Sequence, residues 1–203
     1  MPIFIPTRPF RRWLKTAKEY NAIADIGEIG RRYFAMNAFD GVLTIMGVLM
    51  GNMGARVTSP HIVLTTGLST CVAMGISGLW GSYLTESAER KRDLDELGSQ
   101  TLTDLKDSKL GRASRYAVVV IAIIDGLSPF LAALLVLIPF FLAEALPSIQ
   151  WAYFASLGVA LLALFGLGVF LGNISRENLI LSGIKTVVAG ILSILIGILL
   201  GHV

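Results

Sequence analysis

Cysteine and histidine are nearly absent from this chain. Cys71 stands alone, so no intrachain disulfide and no Cys-based zinc site can form. The two histidines, His61 and His202, lie far apart in sequence and read as surface residues near one membrane face. No H-E-x-x-H, P-loop or G-x-S-x-G pattern occurs, which removes the common zinc-protease, nucleotide and serine-hydrolase signatures. Charge is also scarce. Only 15% of the 203 residues are Asp, Glu, Lys or Arg, against about 25% in a soluble domain. A net charge of +3 is too small to point to nucleic acid and reads as a topology signal. No cleaved leader is expected, because the first apolar run follows a long polar stretch.

What is abundant is apolar. Hydrophobic residues make up 54% of the chain, and the mean hydropathy is +0.71. The 21 glycines suit close helix packing in a bilayer. These features define an all-α integral membrane protein. Five apolar runs read as spans, at about 33–53, 62–84, 116–142, 151–171 and 179–200, each near the length that crosses a bilayer. Pro129 and Pro139 should kink or break the third. Ahead of the spans, residues 1–32 are cationic. Trp13, Ala17, Tyr20 and Ala24 recur at helical spacing there, the pattern of an amphipathic helix on the membrane surface. A loosely ordered basic tail is the alternative.

Positive charge sets the orientation. Lys and Arg concentrate in residues 1–32, in the 85–115 segment and at Arg176, whereas the opposite side has only Arg56. The N-terminus and the even-numbered loops are therefore expected in the cytoplasm and the C-terminus outside, as fits a multi-pass protein of a prokaryotic cell membrane.

The organising stretch is Met36-Asn37-Ala38-Phe39-Asp40-Gly41 in the first span. An ionisable residue inside a span costs roughly 2.5–3.5 kcal/mol on insertion scales and is a functional-site hypothesis by default. At about 100° per residue, Met36, Asn37, Asp40, Thr44, Gly47 and Gly51 share one face. On the second span Gly67, Thr70, Cys71, Met74, Ser77, Gly78 and Gly81 form a small, polar, sulfur-bearing face. Asp40, Ser77, Asp125 and Lys185 each fall about seven to nine residues from a cytoplasmic end, which is roughly 10–13 Å deep. A polar site in the inner half of the membrane is the expectation.

Asp40 is its hard ligand, with Asn37 and Thr44 as neutral oxygens. Met74 is either a soft ligand or packing. Lys185 either pairs with Asp125, in a charge pair or proton relay, or snorkels to the interface. Glu86, Glu89 and Asp93 align at i, i+3, i+7 beyond the second span. They either collect a divalent cation or belong to a solvated hairpin with Glu86–Arg90 and Glu89–Arg92 pairs. Gly47-xxx-Gly51 and Gly168-xxx-Gly172 are close-packing signals for helix pairs or dimers.

At Asn37-x-x-Asp40-Gly41, Gly81-Ser82-Tyr83-Leu84-Thr85, Leu137-Ile138-Pro139-Phe140 and Gly172-x-x-Ser175-x-x-Asn178-x-x-x-Ser182-Gly183, the chain resembles the vacuolar iron transporter-like family. It looks closest to that family's compact archaeal and bacterial members. The resemblance spans most of residues 31–202. It implies a five-helix homodimer with a metal path between protomers, the aspartate matching Asp40 in that path, and Fe²⁺ or Mn²⁺ leaving the cytosol in exchange for protons. Where the family has a Ser-Met pair in the second span, this sequence has Ser77-Gly78, and where it has Glu before Tyr, Ser82. No permanently bound cofactor is expected, and the partners are the lipid bilayer, a second copy, divalent metal ions and no nucleic acid. The rival reading is a non-transporting scaffold or metal sensor acting through the charged loop. An intramembrane enzyme is remote, because Ser77 has no histidine at its depth.

Overall fold

The computed structural model describes residues 7–200, with side chains from Thr16 onward, so Trp13, Lys15 and His202 lie outside what is described. The described chain is helical: α1 (Thr7–Ala24), α2 (Ile26–Gly54), α3 (Pro60–Thr101), α4 (Lys109–Phe141), a 3-10 turn at Ala143–Ala145, α5 (Ile149–Ser175) and α6 (Leu179–Leu200). Helices α2 to α6 are long and apolar enough to cross a membrane. The protein is a multi-pass integral membrane protein.

Helix boundaries follow local chemistry. Asp25, in the left-handed region at φ 49°, separates α1 from α2, so the first membrane helix starts at Ile26 rather than near Tyr33. Pro60 opens α3 at a position where its missing N–H costs nothing. The Ser108 side chain accepts from Gly111 N and caps α4. Asn178 Oδ1 accepts from Ile180 N (3.0 Å) and Leu181 N (3.2 Å), which starts α6 after the polar turn.

Helices α3 and α4 both extend past their apolar runs. Helix α3 has 42 residues, about 63 Å at 1.5 Å per residue. About half of that exceeds a hydrocarbon core of about 30 Å. The charged segment therefore begins as a continuation of the second span, up to Thr101. Helix α4 also runs on through Pro129 and Pro139 without breaking. Proline at 129 removes the donor for the Asp125 carbonyl, and neighbouring helices accommodate the gap, as membrane helices commonly do.

The core lies between α2, α4 and α5. Val42, Ile45, Met46 and Leu49 of α2 meet Ala133, Val136, Leu137 and Phe140 of α4 and Ala152, Leu157 and Leu164 of α5, all buried. A second cluster joins α1 to α4 through Ala24, Ala113 and Ala117, with Tyr20 against Tyr116 at 5.7 Å. Lys109 closes that contact with an ion pair to Glu19 at 2.7 Å. Gly168 and Gly172 of α5 receive α6. A Cβ at Gly168 would lie 2.7 Å from Gly183 Cα, and one at Gly172 would lie 2.8 Å from the Ser182 side chain. This small-residue pair packs α6 on α5 within a single chain.

Candidate functional site

The polar face of α2 divides in two. Met36, Asp40, Thr44, Gly47 and Gly51 are exposed on the surface of the chain. A Cβ at Gly47 or Gly51 would meet nothing within 4 Å. A groove of about 690 Å³ runs beside them to α6, lined by Met50, Ala189, Ser193 and Ile196 among others. Asp40 thus sits on a bare face of small and polar groups.

Asn37 turns the other way. Its Nδ2 donates to Tyr33 O at 2.9 Å and, in a short contact, to Asp125 Oδ1 of α4. Asp125 is buried. Ser82 of α3 faces the same carboxylate, yet its hydroxyl is buried without a normal hydrogen-bond partner. Above them, Tyr33 Oη donates to Glu86 Oε1 at 3.2 Å, and Arg90 Nε donates to Glu86 Oε2 at 3.0 Å. The side chains of Arg90 and Glu86 are 15% and 10% exposed. Three helices therefore share one buried polar knot.

Glycine lets these helices come close. At Gly41 a Cβ would lie 2.6 Å from Pro129 Cα, at Gly126 it would lie 2.6 Å from the Gly75 carbonyl, and at Gly78 it would lie 2.8 Å from the Asp125 carbonyl. That last carbonyl is the one Pro129 leaves without a helical donor. Only a Cα hydrogen fits against it, a weak C–H···O geometry common between packed helices. Glycine at position 78 thus has a structural reason in this chain, since any side chain there would push α3 off α4.

The remaining candidates scatter. Met74 is half-buried and packs on the main core, and Cys71 is fully buried in it. Ser77 is exposed on α3. Glu89 and Asp93 are exposed on the part of α3 that extends beyond its apolar run, whereas Glu86 belongs to the buried knot, so the aligned trio does not share one surface. The alternative Glu86–Arg90 pair forms. Of the two alternatives for Lys185, the pair with Asp125 does not form and the snorkelling one does: exposed Lys185 reaches Glu177 Oε2 at 3.5 Å. Lys185 lies only six residues into α6, so its long stem reaches the polar turn more cheaply than the buried Asp125. Among the described residues no three His, Cys, Asp or Glu side chains gather as a metal cage.

Tyr33 and Ser82 join the knot without having been singled out in the sequence, whereas Arg90 enters it as the partner of Glu86 that the i, i+4 spacing allowed. The signal was there. Tyr33 and Asn37 stand at i, i+4 on α2, and Ser82, Glu86 and Arg90 at i, i+4, i+8 on α3, so each set lines one side of its helix.

Residues 32–103 and 99–202 match the model of the VIT family. This chain belongs to the VIT family. A relative, an uncharacterized protein of Methanocaldococcus jannaschii, is 34% identical over 173 residues, covering 84% of this chain and 87% of that protein. Membership in the VIT family points to a membrane metal-ion transporter rather than an enzyme. Both the Asp40 face and the buried knot lie inside the matched residues.

Proposed function

We propose that this VIT-family protein moves a divalent cation, Fe²⁺ or Mn²⁺, out of the cytosol in exchange for protons, along a path between two copies of the chain. The observation that carries this reading is the position of Asp40. It is an ionisable residue in an apolar membrane helix, on an exposed face that continues into the open Gly47–Gly51 groove. A carboxylate facing lipid is costly; a second copy of the same face would screen it from lipid, and a cation shared by the two carboxylates would offset their charge. A two-fold axis there would pair two Asp40 carboxylates and two Thr44 hydroxyls around one cation. Ser77 of α3 supports the same face.

Proton coupling follows from competition at Asp40. A carboxylate out of water is stabilised by a metal or by a proton, and each displaces the other. Glu89 and Asp93 would gather cations at the cytoplasmic entrance. Asn37 and Glu86, held in the buried knot, orient α2 and α3 instead of touching the metal, and Met74 packs. The N-terminal helix α1 would lie along the cytoplasmic membrane surface with the C-terminus outside.

The test uses purified protein in proteoliposomes containing a metal-sensitive dye, under a pH gradient. Metal should enter vesicles with the parent chain and not with Asp40→Asn. Equal rates for parent and variant would remove Asp40 from the path.

A further inference from the structure

A second feature lies on the opposite side of α3, in its cleft with α4. At the cytoplasmic end of that cleft is a cavity of about 290 Å³. Four cations line it from three segments: Arg90 and Lys91 of α3, Lys106 of the connecting loop, and Arg115 of α4, against one carboxylate, Asp95. The cavity is built rather than accidental. Arg115 donates to the Lys106 carbonyl at 2.9 Å. Gly111 lets that loop fold onto α4, since a Cβ there would lie 2.6 Å from the Leu105 carbonyl. Together these hold Lys106 beside the cleft, across from Lys91. Arg90 uses Nε on Glu86, which leaves its terminal nitrogens for a ligand. Leu94 and Val118 give the cavity an apolar side.

The same cleft continues into the membrane. Seven residues back along α3 from Ser87, about 10 Å of helix, a groove of about 440 Å³ opens between Val72, Ile76, Leu79 and Trp80 on one side and Leu127 and Phe130 on the other. Gly75 and Gly126 line it as well. Ile76, Trp80 and Ser87 fall on one side of α3 at i, i+4, i+11, so cavity and groove follow one line. Trp80 is 62% exposed there. Asp40 and Ser77 face elsewhere, so the cleft is separate from the proposed metal path.

We propose that this cleft binds one anionic phospholipid, with its phosphate headgroup among Lys91, Lys106, Arg90 and Arg115 and an acyl chain along the Ile76–Trp80 groove. Charge and polarity decide the occupant. Three segments bring positive charge to the interface, where basic pockets between membrane helices take anionic headgroups, and an apolar groove of chain width begins directly beneath. A free phosphate would satisfy the cations alone and leave the groove empty. The inference stands independently of metal transport.

Trp80 reports on the groove. The full-length protein, in a Trp13→Phe/Trp151→Phe background that leaves Trp80 as the fluorophore, is titrated in neutral detergent with phosphatidylglycerol or phosphatidylcholine carrying brominated chains. Phosphatidylglycerol should quench at the lower lipid fraction, by up to roughly thirtyfold, about fivefold for each lysine that meets the headgroup. Lys91→Gln/Lys106→Gln should abolish that preference. Millimolar inorganic phosphate should leave the quenching in place. Equal quenching by both lipids in the unaltered pocket, which needs no lysine variant, would overturn the proposal. So would an undiminished preference in the lysine variant. Full displacement by inorganic phosphate would overturn the lipid assignment in favour of a free anion.

Discussion

Removing Arg90 should destabilise the protein more than removing Arg90 and Glu86 together. The two side chains are 15% and 10% exposed and joined at 3.0 Å, so Glu86 has little water to replace a lost partner. Breaking a buried ion pair from one side costs roughly 3–5 kcal/mol, because the other charge stays buried and uncompensated. The residual exposure puts Arg90→Met at the lower end, about 3 kcal/mol. Tyr33 keeps one hydrogen bond to Glu86 in that variant, which limits the loss further. Glu86→Gln/Arg90→Met removes both charges and leaves a neutral group for Tyr33 to bond. That variant should return to within about 1 kcal/mol of the parent, since apolar replacement of a buried pair is often neutral. Equilibrium unfolding in mixed detergent micelles gives the free energies for a double-mutant cycle. A single variant as stable as the parent, or a double variant worse than the single, would refute the buried knot as drawn.

Other expectations concern the helix crossings and the bare face. Gly78→Met should cost roughly 1–3 kcal/mol, the usual range for overpacking, because its Cβ would lie 2.8 Å from the Asp125 backbone carbonyl; a melting temperature equal to the parent's would contradict the tight α3–α4 crossing. Asn37→Ala should cost about 1–3 kcal/mol by leaving the buried Asp125 without its amide donor, read by the same unfolding assay. Gly47→Leu, where a Cβ meets open space, should leave the melting of an isolated protomer unchanged and weaken self-association in detergent, measured by sedimentation. Unaltered association would place the copy-to-copy contact elsewhere.

The membrane helices were legible because bilayer thickness imposes long apolar runs, and only a helix satisfies its backbone polar groups in lipid within a single segment. The continuity of α4 was less legible. A proline in a soluble helix predicts a break, but here Gly41, Gly78 and Gly126 allow neighbours to approach the proline turn and hold it helical. Asp40 was legible as an ionisable group in an apolar run, yet its stripe gave no hint that Asn37 would leave it for Asp125. At the edge of a helix face a difference of one turn decides the neighbour, and periodicity alone does not resolve it. Lys185 shows the same limit from the other side. Depth counting put it near Asp125, but a lysine stem is long enough to choose the wetter partner, Glu177. Glu86, Glu89 and Asp93 share a helix line, and only the distance of each from the α2–α4 pair separates a buried knot from a solvated surface.

The proposed metal path requires two copies of Asp40 to face each other across a two-fold axis and to hold the transported metal. The most direct measurement is anomalous diffraction from crystals of the full-length protein soaked in Mn²⁺. A single anomalous peak on the two-fold axis, within bonding distance of both Asp40 carboxylates, is the predicted result. A peak confined to the exposed Glu89 and Asp93 end of α3, with none beside Asp40, would contradict it.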